Sequence, residues 1–200
     1  MVEAVIRKAV CLALLFALLG FPRDVYAHRD DQYLQATIVV IEPSGVRLQI
    51  NLTPGIAVAE PVIAEIDRDR DGAISQNEAA AYAELLKRDL TLRMDGRQLA
   101  LKLSASEFVQ PEELRSGAAI IQMEFSAIFG PLPVGAHKLT LENRHLSKIS
   151  VYLINAAQPR AGTVQINRQN RNQNQSAGEI EFAFHPVVAK IAKSGRDLRG

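Results

Sequence analysis

Residues 34–52 read Leu34-Gln35-Ala36-Thr37-Ile38-Val39-Val40-Ile41-Glu42-Pro43-Ser44-Gly45-Val46-Arg47-Leu48-Gln49-Ile50-Asn51-Leu52. Leu34, Ala36, Ile38 and Val40 alternate with Gln35 and Thr37, and Val46, Leu48, Ile50 and Leu52 alternate with Arg47, Gln49 and Asn51. Successive side chains of a strand point to opposite faces, so a period of two describes strands with one buried face. Glu42-Pro43-Ser44-Gly45 between them is a turn signal. The stretch predicts a hairpin whose core face carries Leu34, Ala36, Ile38 and Val40 on one strand and Val46, Leu48, Ile50 and Leu52 on the other.

The same period returns along the chain. Leu90–Met94 and Gln98–Leu103 flank Asp95-Gly96, a pair that tolerates positive φ and so favours a tight hairpin turn. Ile121, Met123 and Phe125 follow, then Leu139 and Leu141, then Ile149, Val151 and Leu153, then Val164 and Ile166, then Ile180, Phe182 and Phe184. About nine short strands separated by Pro, Gly and Asn predict a mainly β chain folded as an antiparallel β-sandwich over residues 28–186. The series is broken once, at about 56–88, between the second and third strands. There Val62, Ile63 and Ile66, then Tyr82, Leu85 and Leu86, fall at the spacing of helix faces. Arg168–Gln175 has no apolar residue and predicts a loop tip. Pro111 followed by Glu112 and Glu113 predicts a short turn of helix, where acidic residues suit the dipole.

Lys and Arg total 23 against 22 for Asp and Glu, a net charge of +1, which argues against a nucleic-acid or polybasic membrane-binding role. A single Cys excludes a disulfide scaffold. No HExxH, P-loop, GxGxxG or nucleophile elbow occurs, and the chain reads as non-enzymatic. Arg7 and Lys8, the apolar run Ala9–Phe21 and Val25-Tyr26-Ala27 have the order of a signal peptide cleaved after Ala27. The expectation is a periplasmic or secreted protein beginning at His28 and lacking Cys. Residues 187–200 read as a flexible basic tail.

Residues 67–78 read Asp67-Arg68-Asp69-Arg70-Asp71-Gly72-Ala73-Ile74-Ser75-Gln76-Asn77-Glu78. A hard cation wants several converging oxygens, and alternate carboxylates supply them as the chain curls. This loop resembles the EF-hand calcium loop at each diagnostic position. The resemblance implies calcium held by Asp67, Asp69, Asp71, the Ala73 carbonyl, Ser75 through a water, and a bidentate Glu78. It also implies a bend permitted by Gly72 and Ile74 turned to the core. Such a match arises by chance on the order of once in ten thousand chains. An alternative reading stands beside it. Ser75-Gln76-Asn77-Glu78 is also a capping box for the following helix. Pro61 fits the first turn of a short incoming helix, about Glu60 to Ile66. No second such loop is present, so the expectation is a structural calcium rather than a switch, with the lone hand paired across a dimer or leaning on the β-domain.

His28 at a mature N-terminus, with His137, His145 or His185 nearby in space, is similar to the histidine brace of periplasmic copper carriers. Ala27-His28-Arg29, Leu34-Gln35-Ala36-Thr37 and Leu141-Glu142-Asn143-Arg144-His145 resemble the extracytoplasmic region of bacterial hydrogenase/urease accessory permeases. That resemblance implies a nickel- or copper-binding accessory domain, with a membrane permease or another envelope protein as its partner.

Overall fold

Tyr33–Glu42 (β1) and Gly45–Pro54 (β2) pair antiparallel around the turn at Pro43 and Ser44, as expected. Glycine is required after that turn, because a Cβ on Gly45 would come within 2.8 Å of the Ala127 carbonyl oxygen. The computed structural model describes residues 31–158 and 162–186. The expected signal peptide, His28 and the expected tail at 187–200 lie outside them. Eight further strands follow: Leu90–Met94 (β3), Arg97–Gln98 (β4), Lys102–Glu107 (β5), Ile121–Ile128 (β6), Gly135–Asn143 (β7), Ser150–Ala156 (β8), Val164–Arg171 (β9) and Ala177–Phe184 (β10). They form two five-stranded sheets, ordered β5-β6-β2-β1-β8 and β4-β3-β7-β10-β9. The molecule is a mainly β sandwich of ten strands where about nine were expected, and one pairing, β1 with β8, is parallel.

The core lies between the sheets. Val46, Leu48, Ile50 and Leu52 of β2 and Ile121, Met123 and Phe125 of β6 oppose Leu92, Leu139, Leu141, Ile180 and Phe182. On β1 the expected face is reversed. Tyr33, Gln35, Thr37, Val39 and Ile41 point inward, while Ile38 is 43% exposed. A one-residue shift in phase moves a whole strand's side chains to the other face. Here it is set by partners for Gln35 that lie more than a hundred residues away, described below. The same shift affects β8, where Tyr152 and Ile154 are buried instead of Val151 and Leu153.

Two other expectations are corrected. The strand expected at Gln98–Leu103 is only two residues long before the chain crosses, through Leu99–Leu101, to begin β5 in the other sheet. Arg168–Arg171 is strand rather than loop, and only 172–175 turn. The polar side chains of β9 have a structural task. The Gln169 amide bonds both Ala156 N and Ala156 O, and the Arg171 guanidinium donates to the Ile154 carbonyl and to Asn155 Oδ1. Charged and amide groups thereby cap the open edge of β8, a common defence of edge strands.

Between β2 and β3 stands the expected helix–loop–helix. A 3₁₀ turn at Ile56–Val58 leads into Ala59–Ile66 (α1), a loop, and Gln76–Asp89 (α2). Val62, Ile63 and Ile66 of α1 and Tyr82, Ala83 and Leu86 of α2 are buried in the same core as the strands. Pro111–Leu114 (α3) is the expected short helical turn. Among the described residues, no helix is long and apolar enough to cross a membrane.

Candidate metal centre

The loop between α1 and α2 curls so that one carboxylate oxygen each from Asp67, Asp69 and Asp71 lies within 4.8 Å of the others. Backbone amides hold these side chains. Gly72 N donates to Asp67 Oδ2 (3.0 Å), Asp71 N to Asp69 Oδ1 (3.2 Å) and Ala73 N to Asp71 Oδ1 (2.8 Å). Gly72 has φ of +84°, a conformation glycine adopts without steric penalty, and Arg70 adopts the same left-handed region at φ +61°. A bulky residue held there stores backbone strain, and such strain collects at ligand-binding loops.

Glu78 reaches back into the loop. Its Oε1 accepts from Arg68 N (2.8 Å), and its Oε2 accepts from Ser75 N (3.0 Å) and the Ser75 hydroxyl (2.7 Å). Ser75 Oγ in turn accepts from Glu78 N, which completes the capping box at the start of α2. Asp69 N adds a longer bond to Oε1 (3.5 Å), so the four lone-pair directions of the carboxylate are all engaged, and a cation held by Glu78 would have to displace some of these exposed bonds. The Ser75 N–H and hydroxyl, then the Arg68 and Asp69 amides, pull the Glu78 carboxyl down to about 2. Asp69 is raised. The Asp71 amide lowers it, but desolvation and the charges of Asp71, Glu78 and Asp67 outweigh that bond. Mutual repulsion in the cluster is what a cation would relieve.

Asp67 differs from its neighbours. It is 5% exposed, whereas Asp69 and Asp71 are exposed. Among the described residues, two buried side-chain oxygens have no hydrogen-bond partner, Asp67 Oδ1 and Thr37 Oγ1. The Thr37 hydroxyl is neutral. Asp67 Oδ1 belongs to a carboxylate, for which burial without a partner is costly unless a charge is supplied.

The remaining expected ligands are close in the chain. Ala73 lies within the curl, and Ser75 is the N-cap of α2 with its hydroxyl engaged by Glu78. One contact to the loop comes from elsewhere: Ile74 N donates to Gln110 Oε1 at 3.0 Å, from the residue preceding α3. A bond across 36 residues leaves no signature in the sequence.

Among the described residues, no group of three metal-ligating side chains includes a histidine. His137 sits near the start of β7, bonded to Asp95 Oδ2 and the Pro133 carbonyl. The end of β7 is about 20 Å along the strand from His137, and His145 lies two residues beyond it. It is fully buried, with Nδ1 2.7 Å from Asp89 Oδ2 and Nε2 2.9 Å from Tyr82 Oη. His185 adjoins the end of β10, which pairs with the start of β7. His28 lies outside the described residues.

The surroundings of His145 form a second polar cluster that the sequence did not reveal. Tyr33 and Tyr82 hydroxyls meet at 2.8 Å. The His145 carbonyl accepts from Gln35, Ser150 and Tyr152, while Asn143 bridges Gln35 Oε1 and His145 N. With a neutral imidazole, Nδ1–H donates to Asp89 and Nε2 accepts from the Tyr82 hydroxyl, which leaves Tyr82 to accept from Tyr33. Burial lowers the His145 pKa, opposed by Asp89 and Glu65. The cluster fastens the far end of α2 to both sheets.

No protein-family model, no curated protein and no solved structure matches this chain.

Proposed function

We propose that this chain is an exported calcium-binding β-sandwich protein, with one structural calcium in the loop between α1 and α2. Asp67, Asp69, Asp71, the Ala73 carbonyl and Glu78 would hold the ion, with Ser75 contributing through water. The observation that carries the reading is Asp67 Oδ1, a buried carboxylate oxygen with no partner, beside two further carboxylates. The donor set is oxygen only, which suits calcium and disfavours the softer transition metals. Bound calcium would supply positive charge that cancels the carboxylate repulsion and ties the loop ends together. A structural role is supported by two features. The loop is already shaped by its own amides, and the apolar faces of α1 and α2 are already in the core.

The test is calorimetric titration of the chain with calcium alone. One site of modest affinity is expected, with Kd about 10⁻⁵ to 10⁻³ M. In Asp67→Asn the heat should vanish, while the melting temperature in chelator stays level or rises because a buried charge is gone. Absence of binding by the native chain at millimolar calcium overturns the reading.

A further inference from the structure

We propose that Gln110 is a positioning residue for the metal loop, and that the sandwich completes the lone helix–loop–helix through it. The inference rests on the calcium reading above. Arg68, Asp71, Gly72, Ala73 and Ser75 donate their backbone N–H groups to carboxylates of the loop or to Glu78. Ile74 is the exception, since its N–H donates to Gln110 Oε1.

That N–H shares a peptide unit with the Ala73 carbonyl. The described residues contain no cis peptide bond, and in a planar trans peptide the N–H and C=O point in opposite directions. Fixing the Ile74 N–H outward on Gln110 therefore turns the Ala73 oxygen inward, toward the side on which the carboxylates converge. Withdrawal of charge through the N–H also polarises the C=O, which makes it a better ligand for a hard cation. Partners one bond removed from a metal ligand commonly affect its affinity in this way.

Gln110 is itself well placed to hold still. Its N–H donates to Glu113 Oε1, and its carbonyl accepts from Glu113 N at the start of α3. The same segment touches both flanking helices. Phe108 packs edge-on against Tyr82 of α2, with ring centroids 6.2 Å apart, and Arg115 pairs with Glu60 of α1 at 2.6 Å. Leu114 is fully buried beneath. Residues 108–115 thus contact α1, the loop and α2, and the ion site needs no second copy of the chain to fix its geometry.

The experiment compares full-length native chain with Gln110→Ala, Gln110→Met and Gln110→Glu, titrated with calcium and melted in chelator. Gln110→Met keeps the stem and removes the oxygen, and Gln110→Glu keeps an acceptor. Gln110→Ala and Gln110→Met should each weaken calcium about tenfold with little change in the metal-free melting temperature. Gln110→Glu should restore native affinity to within about threefold, and Ile74 amide exchange in chelator should quicken only in the first two. Native affinity in Gln110→Met, or loss of metal-free stability with unchanged Kd, overturns the proposal and leaves the calcium reading standing. No binding by the native chain overturns both. Calcium binding should leave the sedimentation of the native chain unchanged, and dimerisation on calcium addition would also overturn it.

Discussion

The two ends of α2 are built in opposite ways. At its start, the carboxylates of Asp67, Asp69, Asp71 and Glu78 accept from amides at most ten residues away, mostly in contact with solvent, and one buried oxygen, Asp67 Oδ1, is left without a partner. At its end, Asp89 enters a buried cluster drawn from three separate segments, joined by bonds that span 49 to 115 residues of sequence. The first arrangement draws most of its bonds from one short segment and holds carboxylates close despite their repulsion. The second exists only once both sheets have formed, and its bonds sit where an unmatched group finds no water. A local cluster can serve an ion. A dispersed one specifies how the insertion docks on the sandwich. If this contrast holds, damage at one end should leave the other's property intact.

The largest effect is expected at the buried end. Asn143→Leu would strip partners from Gln35 Oε1 and His145 N together and should destabilise the fold by about 3 kcal/mol. Calcium affinity should stay within about twofold. Urea denaturation in chelator checks the first part and calorimetry the second, and a loss of calcium affinity parallel to stability would dissolve the distinction. Next is calcium itself. At a hundred times Kd it adds about 2.7 kcal/mol by mass action, a rise of about 5–10 °C in Tm for a chain of this size. Dye-accessible apolar surface should not grow as calcium binds.

A smaller effect separates the ion from the cap. Ser75→Ala should cost about 1 kcal/mol in chelator, because α2 loses its N-cap. Glu78→Gln should cost at most a few tenths there, since water replaces the exposed bonds, yet should remove most calcium affinity. Unchanged calcium affinity in Glu78→Gln would reduce the loop to a capped turn. The smallest effect is a pH dependence. His145 faces Asp89 and Tyr82 of α2, Glu65 of α1 and Tyr33 of β1, and its pKa is lowered chiefly by burial. The unfolded chain therefore binds a proton near pH 6.5 that the folded chain refuses. Stability is full above that value and falls as pH drops through it. His137, raised by Pro133 and Asp95 against its own desolvation, works with the opposite sign, losing stability as pH rises above 6.5. Denaturation midpoints between pH 5.5 and 7.5 should depend less on pH in acid for His145→Gln and less in base for His137→Gln. Identical profiles for His145→Gln and the native chain would show that this ring is not held neutral.

What the sequence made legible follows the same division. Most bonds of the twelve residues from Asp67 to Glu78 lie within the segment, so its curl and the capping box at Ser75 and Glu78 could be anticipated, as could the apolar faces of α1 and α2. The inward face of β1 could not. Leu34, Ala36, Ile38 and Val40 are the more apolar set, yet Gln35 and Thr37 are the buried ones, because Asn143, His145 and Ser150 supply Gln35 with partners from a distant segment. Arg168–Arg171 looked like a loop because nothing in it is apolar. It is a strand because Gln169 and Arg171 bond the backbone of β8. Gln110 escaped notice for the same reason, its one informative contact being with Ile74.

The parallel pairing of β1 with β8 sets an order of assembly. β1 and β2 can meet as soon as their turn is made, and α1 and α2 are neighbours in the chain. The other edge of β1 must wait for residues 150–156. Contacts this distant slow folding, because chain entropy is lost before the contact is gained. Until they form, β1 offers unpaired N–H and C=O groups along ten residues to any extended chain that reaches it first. The first strand of the sandwich is thus the one whose arrival at its final neighbours comes late, and the interval before β8 docks is when two copies of this protein are most prone to pair with each other instead of with themselves.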